Sequence, residues 1–183
     1  MDGINMQMRW NFIASLINEK QFICGYEIGV ERGDTYGYIL NNCPTIKEWH
    51  GVDIWTPYKQ YVTKSNGSKW PHDQYHQHAL SIAKKHEGKA FIHRDYSENI
   101  AKEVEDESID IVFIDADHTY EGVHSDILSW MPKVRKGGII CGHDYGLNPN
   151  GINRFPGVDR AVHELIGKEN IKVGPDMVWW MEK

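Results

Sequence analysis

The plainest pattern in the chain is the run Ile109-Asp110-Ile111-Val112-Phe113-Ile114, broken at once by Asp115-Ala116-Asp117-His118. An apolar run that stops abruptly at polar groups predicts a buried parallel strand. Such a strand delivers its last residues to the carboxyl edge of a sheet, where open α/β folds bind ligands. Related patterns recur along the chain. Residues 22–28 run into Gly29-Val30-Glu31-Arg32-Gly33, and residues 46–55 carry Gly51-Val52-Asp53. Residues 89–95 close on Asp95-Tyr96-Ser97, and Ile139-Ile140-Cys141 breaks at Gly142-His143-Asp144 after a Gly137-Gly138 turn.

Between these strands, helical spacing of apolar residues predicts helices over 6–19, 36–40, 98–105, 119–130 and 158–166, and one from Pro71 to near Gly88. Ser97 is placed to cap the helix from Glu98, and Pro132 to stop the one ending at Trp130. Residues 171–173 and 177–181 predict a terminal antiparallel pair. The βα alternation predicts a doubly wound, Rossmann-like α/β fold. Its seven-stranded sheet is mostly parallel with an antiparallel C-terminal strand, and helices cover both faces. One domain over 1–183 is expected, without repeats.

Composition changes this picture little. Apolar content of 40% and charged content of 25% are those of an ordinary globular protein. A formal charge of −6 with no basic block argues against nucleic-acid binding. No apolar run is long enough for a membrane span, and the N-terminus lacks a signal-peptide pattern. Cys24, Cys43 and Cys141 are an odd, widely spaced set without a CxxC pair. They read as free thiols of a reducing compartment, so a cytoplasmic location is expected.

Several positions carry candidate chemistry. Glu27-x-Gly29-x-x-x-Gly33 reads as a ligand-cradling turn or simply a tight one. Asp53, 24 residues after Gly29, sits near the spacing of about 20 at which a carboxylate meets ribose hydroxyls. A solvated strand-end Asp is the alternative. His72 and His76 stand at i, i+4 and could ligate a metal, though exposed or loop-contacting roles at a helix start account for them better. Asp117 and His118 read, on their own, as a polar strand end with a helix cap. His143 and Asp144 read as a polar pair at a second strand end. The long loop over 56–70 reads as a lid or substrate loop.

Together, Tyr26-Glu-Ile-Gly-Val-Glu-Arg-Gly33, Gly51-Val-Asp53, Asp110 to Gly122 and Arg135 to Tyr145 resemble the class I S-adenosylmethionine (SAM)-dependent methyltransferases. The likeness covers nearly the whole chain. Within that superfamily the chain is similar to small O-methyltransferases such as the macrolide-sugar type and, more distantly, the catechol and caffeoyl-CoA types. The resemblance implies that Glu27, Gly29 and Gly33 shape the site for the methionine part of SAM, Asp53 takes the ribose, Asp95 and Tyr96 border the adenine, and Asp115 lies beneath the sulfonium.

It further implies a divalent metal on Asp115, His143 and Asp144, with His118 as general base. A cation would lower the pKa of an acceptor hydroxyl, and a histidine can take its proton near neutral pH. His143 departs from the usual oxygen ligand. It favours Mn²⁺ or Zn²⁺ over Mg²⁺, or else faces substrate with no metal bound. The implied partner is a small-molecule acceptor with a sugar-like or phenolic hydroxyl, and homodimerisation is left open. Two rivals remain. One is a non-catalytic SAM-binding or interaction module on the same fold. The other is an NAD-dependent oxidoreductase, which the missing third glycine and the absence of Tyr-x-x-x-Lys disfavour.

Overall fold

The computed structural model describes residues 8–56 and 71–183. The expected 56–70 loop falls almost wholly outside them. The elements run α1 Arg9–Lys20, β1 Cys24–Ile28, α2 Asp34–Asn42, β2 Glu48–Val52, α3 His72–Lys85, β3 Ala90–His93 and α4 Ser97–Glu103. They continue with β4 Ile109–Ile114, α5 Tyr120–Trp130, β5 Val134–Gly142, α6 Pro156–Ile166, a 3₁₀ turn Lys168–Asn170, β6 Lys172–Val173 and β7 Trp179–Glu182. The strands form one seven-stranded sheet in the order β3-β2-β1-β4-β5-β7-β6. Strands β1 to β5 pair in parallel, and β7 runs antiparallel to both β5 and β6. The doubly wound, mostly parallel sheet is therefore as expected.

Strand β4 shows why the opening pattern reads as it does. Its six residues are all buried. Ile111 and Phe113 enter one core with Ile13, Ile17, Ile39 and Ala79, from α1, α2 and α3. Val112 and Ile114 enter the other with Ile100, Ile127, Trp130 and Val162, from α4, α5 and α6. A strand covered on both faces needs apolar residues at every position, not at alternate ones. The one charge within it, Asp110, is buried but fully bonded. It accepts from the Ile23 and Cys24 N–H groups at 2.7 and 2.9 Å and from Arg135 Nε at 2.6 Å.

Two expectations need correction. Ser97 is the first residue of α4, whose N-cap is Tyr96 with no side-chain capping bond; its Oγ accepts from Trp130 Nε1 at 2.8 Å instead. Strand β5 begins at Val134, so Gly137-Gly138 lies within it at a register shift. A Cβ on Gly138 would stand 2.6 Å from the Asp110 carbonyl, which is why the strands close there on glycine. Among the described residues, no helix is long and apolar enough to cross a membrane.

Beside Ser97 lies Asp126, buried between α4 and α5. Burial pushes its carboxyl from 3.8 up to about 7, against the opposing bond from Ser97. A raised carboxyl pKa means that the folded chain holds the proton more tightly. Stability from this group is full at acid pH and declines by about 1.4 kcal/mol per pH unit between the two values. Asp126→Asn keeps the neutral shape. Relative to wild type it is expected to gain stability between about pH 4 and pH 7, with a constant advantage above. Urea denaturation across that range checks this, and a pH-independent difference would contradict it.

Candidate active site

The strand order reverses between β1 and β4. At such a switch point the connections leave in opposite directions and open a crevice at the carboxyl ends of the strands. Gly29 leaves β1 with φ +90, and a Cβ there would stand 2.2 Å from the Asp115 carbonyl. Only glycine lets this turn pass so close to the end of β4. Gly33, at φ 89, is the N-cap of α2. The Asp53 carboxylate clamps the turn from β2. It accepts from Val30 N–H at 3.0 Å, Glu31 N–H at 2.9 Å and Trp55 N–H at 2.7 Å.

A cleft of about 220 Å³ opens here, lined by Glu27, Gly29, Val30, Glu31, Arg32, Asp34 and Thr35 from the β1 side. Asp115, His118, His143, Asp144 and Arg9 line it from the other. Glu27 is 2% exposed, and its Oε2 has no hydrogen-bond partner. Burial, reinforced by the neighbouring Asp115 carboxylate, holds its pKa well above the usual range. A buried carboxyl oxygen without a donor is costly unless a ligand supplies one. The cradle therefore suits the ammonium end of an amino-acid-like ligand.

Opposite stands the charged cluster. His118 Nε2 lies 2.8 Å from Asp144 Oδ2 and 3.3 Å from Asp115 Oδ1. His143 Nδ1 lies 3.6 and 3.5 Å from the same two oxygens, and its Nε2 is 3.8 Å from Asp176 Oδ2. Burial alone would lower both imidazoles, but the bonds to Asp115 and Asp144 prevail. They lift His118 to about 9 and His143 to about 10. Burial would likewise raise the two carboxyls, yet the imidazoles hold both below their ordinary values. Asp144 takes up this position with a left-handed φ of 59. Arg9 Nε, 3.2 Å from Asp115 Oδ2, adds a third cation.

Phe155 stacks on His118 with ring centres 4.5 Å apart. Asn148 and Asn153 set the loop before it by accepting from backbone N–H groups of Asn150, Ile152 and Phe155. Helix α5 is capped by Thr119, whose hydroxyl accepts from Gly122 N–H at 3.1 Å. Asp117 accepts from Thr119 N–H at 3.0 Å, so its carboxylate serves the helix start.

The structure thus gathers Glu27, Gly29, Asp115, His118, His143 and Asp144 around one cleft. Gly33, Asp53, Asp95 and Tyr96 do not line it. Asp95 accepts from Tyr96 N–H and Asn99 Nδ2, and Tyr96 is 57% exposed. His72 opens α3, and His76, one turn on, packs on Trp55. Neither belongs to a metal-type cluster among the described residues. Arg9, Thr35 and Asp176 escaped the sequence reading. Arg9 is hidden in an amphipathic helix, and Asp176 in a turn at φ 55; neither has a motif around it.

The donor atoms of Asp115, His118 and Asp144 lie within 4.8 Å of one another, and His143 stands against the same oxygens. Two carboxylates with imidazoles suit a borderline divalent cation. Without one, the arrangement holds a proton at His118 Nε2.

A family model described as a methyltransferase domain matches residues 26–145. No curated protein matches the sequence. Similar solved structures include the O-methyltransferase from Bacillus cereus in complex with SAH (14% identity, TM-score 0.65, covering 96% of this chain and 80% of that one). Another is CalS11, a TDP-rhamnose 3'-O-methyltransferase of calicheamicin biosynthesis (15%, 0.60, 96% and 81%). A third is the O-methyltransferase TomG from Streptomyces achromogenes, involved in tomaymycin synthesis, in complex with SAM (12%, 0.63, 96% and 79%). At these identities the likeness establishes the fold.

Proposed function

Because the chain belongs to the methyltransferase-domain family, we propose that it transfers a methyl group from SAM to a hydroxyl of a small molecule. The carrying observation is the cleft itself. A buried carboxyl, Glu27, whose Oε2 has no hydrogen-bond partner, faces it on one side of Gly29, and a proton-holding His118–Asp144 pair faces it on the other. That is one half for an amino-acid-like cofactor and one half for proton transfer.

When bound, SAM supplies an electrophilic methyl group on a sulfonium. Glu27 takes the ammonium, and Gly29 lets the backbone close on the cofactor. Asp115, at the floor, offsets positive charge. Asp53 holds the turn that shapes the pocket and remains the candidate for the ribose, with Asp95 and Tyr96 for the adenine. In-line displacement asks the protein mainly to position the two partners and remove a proton. In its neutral form His118 takes that proton from the acceptor hydroxyl, and Asp144, 2.8 Å from Nε2, stabilises the imidazolium that results.

Asp115 and Asp144, with His143 as the third donor, would hold a divalent cation that lowers the acceptor's pKa and competes with the proton for these oxygens. Phe155 beside His118 offers a flat apolar surface to a sugar or phenolic ring.

Calorimetric titration with SAM and S-adenosylhomocysteine tests the reading. One site for each is expected, weakened about tenfold or more by Glu27→Gln through loss of a charge-assisted bond. No heat with either ligand at millimolar concentration would sink the proposal. Tight binding with no product from any acceptor pool would favour a non-catalytic module.

A further inference from the structure

The ends of β1 and β2 opposite the cleft carry a second group of metal-type donors. Cys24 and Glu48 are parallel partners on neighbouring strands. His50 follows Glu48 by two residues and so shares its face. Donor atoms of Cys24, Glu48 and His50 lie within 4.8 Å of one another. His50 Nε2 is buried without a hydrogen-bond partner, 3.6 Å from Glu48 Oε2.

The other nitrogen of that ring explains the orientation. His50 Nδ1 is 3.0 Å from His93 Nε2. Two ring nitrogens at that distance share one proton. With the proton on His50 Nδ1, Nε2 presents a bare lone pair to the group. Metal-ligating histidines are held this way, by an outer partner that accepts from the second nitrogen. The ring is also clamped flat, stacking on Tyr26 at 4.3 Å and Phe91 at 4.7 Å.

We propose that Cys24, Glu48 and His50 bind a borderline divalent cation of the zinc class, with His93 as the positioning residue behind His50. Sulfur, nitrogen and carboxylate donors select such an ion over Mg²⁺ or Ca²⁺. Binding deprotonates the Cys24 thiol, and the proton leaves to solvent. Water fills the fourth position. Glu48, with its side chain 57% exposed, closes onto the ion by rotation, so the strands need not move. The cation would tie β1 to β2 beside the edge strand β3, a full strand length from the cleft, and independently of any methyl transfer.

Titration with Co²⁺ as a spectroscopic stand-in for Zn²⁺ tests the site. One equivalent is expected to raise a thiolate-to-cobalt charge-transfer band in the near ultraviolet, displaced by Zn²⁺. The cleft has no cysteine, and the thiols of Cys43 and Cys141 face the Ala14 and Val112 carbonyls, so the band reports this group alone. Cys24→Ser should abolish it. His93→Gln should weaken Co²⁺ affinity about 10- to 100-fold, as loss of an outer-shell partner does. Glu48→Gln, an exposed change that preserves the fold, should weaken it at least tenfold. Zn²⁺ should raise the melting temperature of the wild type by more than that of Cys24→Ser, in which, among the described residues, only the cleft carboxylates and imidazoles are left to hold a cation. Absence of the band in the wild type at millimolar Co²⁺, its persistence in Cys24→Ser, or unchanged affinity in Glu48→Gln would overturn the proposal.

Discussion

Replacing His118 with alanine is expected to lower turnover by about 10²- to 10⁴-fold, the usual contribution of a positioned general base. SAM affinity should change by no more than about twofold, because the cradle is built from Glu27 and the glycine turn on the other side of the cleft. The split between kcat and binding is the informative readout. Truncation also removes the ring on which Phe155 stacks. His118→Gln therefore serves as a second variant that retains bulk and polarity, and thermal melting verifies the fold of both. Turnover within tenfold of wild type, in variants that still melt cooperatively, would remove His118 from the chemistry.

Exhaustive chelation is expected to move the pH dependence of activity rather than abolish it. With the two carboxylates in place, the His118 proton leaves at about 9. A base must be neutral to act, so the metal-free enzyme should gain activity with rising pH and level off above that value. At pH 7 only about 1% of His118 would be neutral, which makes the chelated enzyme about a hundredfold slower there than on its plateau. A divalent cation on Asp115 and Asp144 neutralises the charges that hold the proton. Added Mn²⁺ should then shift the rising limb toward neutrality. Asp144→Asn, which removes the carboxylate at 2.8 Å, should shift the metal-free limb in the same direction. A profile that chelation leaves unchanged would mean that no cation acts at these carboxylates. A metal-free limb centred near the ordinary histidine pKa would mean that they do not hold the proton.

The sheet, and the edge on which the cleft lies, are legible from the order of residues alone. Strand β4 is apolar on both faces because helices cover both. That constraint is local enough to read from Ile111, Val112, Phe113 and Ile114 alone. Gly29 was legible for the same kind of reason, since a left-handed turn between strand and helix admits little else. The polar residues at successive strand ends followed once the strands were known to be parallel.

Partnership between side chains depends on the fold. Asp53 and Asp115 look alike in sequence, each a carboxylate at a strand end. One is engaged by three backbone N–H groups, while the other lies between two imidazoles and Arg9. The protonation of His118 depends on Asp144, which is 26 residues away in the chain and reaches it only because β4 and β5 pair. Arg9 and Asp176 join from opposite ends of the sequence. Cys24, Glu48 and His50 form a cluster through strand register, with no motif spacing to announce it. Periodicity records what a residue does for its own strand or helix. Long-range electrostatics depend on distances that only the folded chain sets.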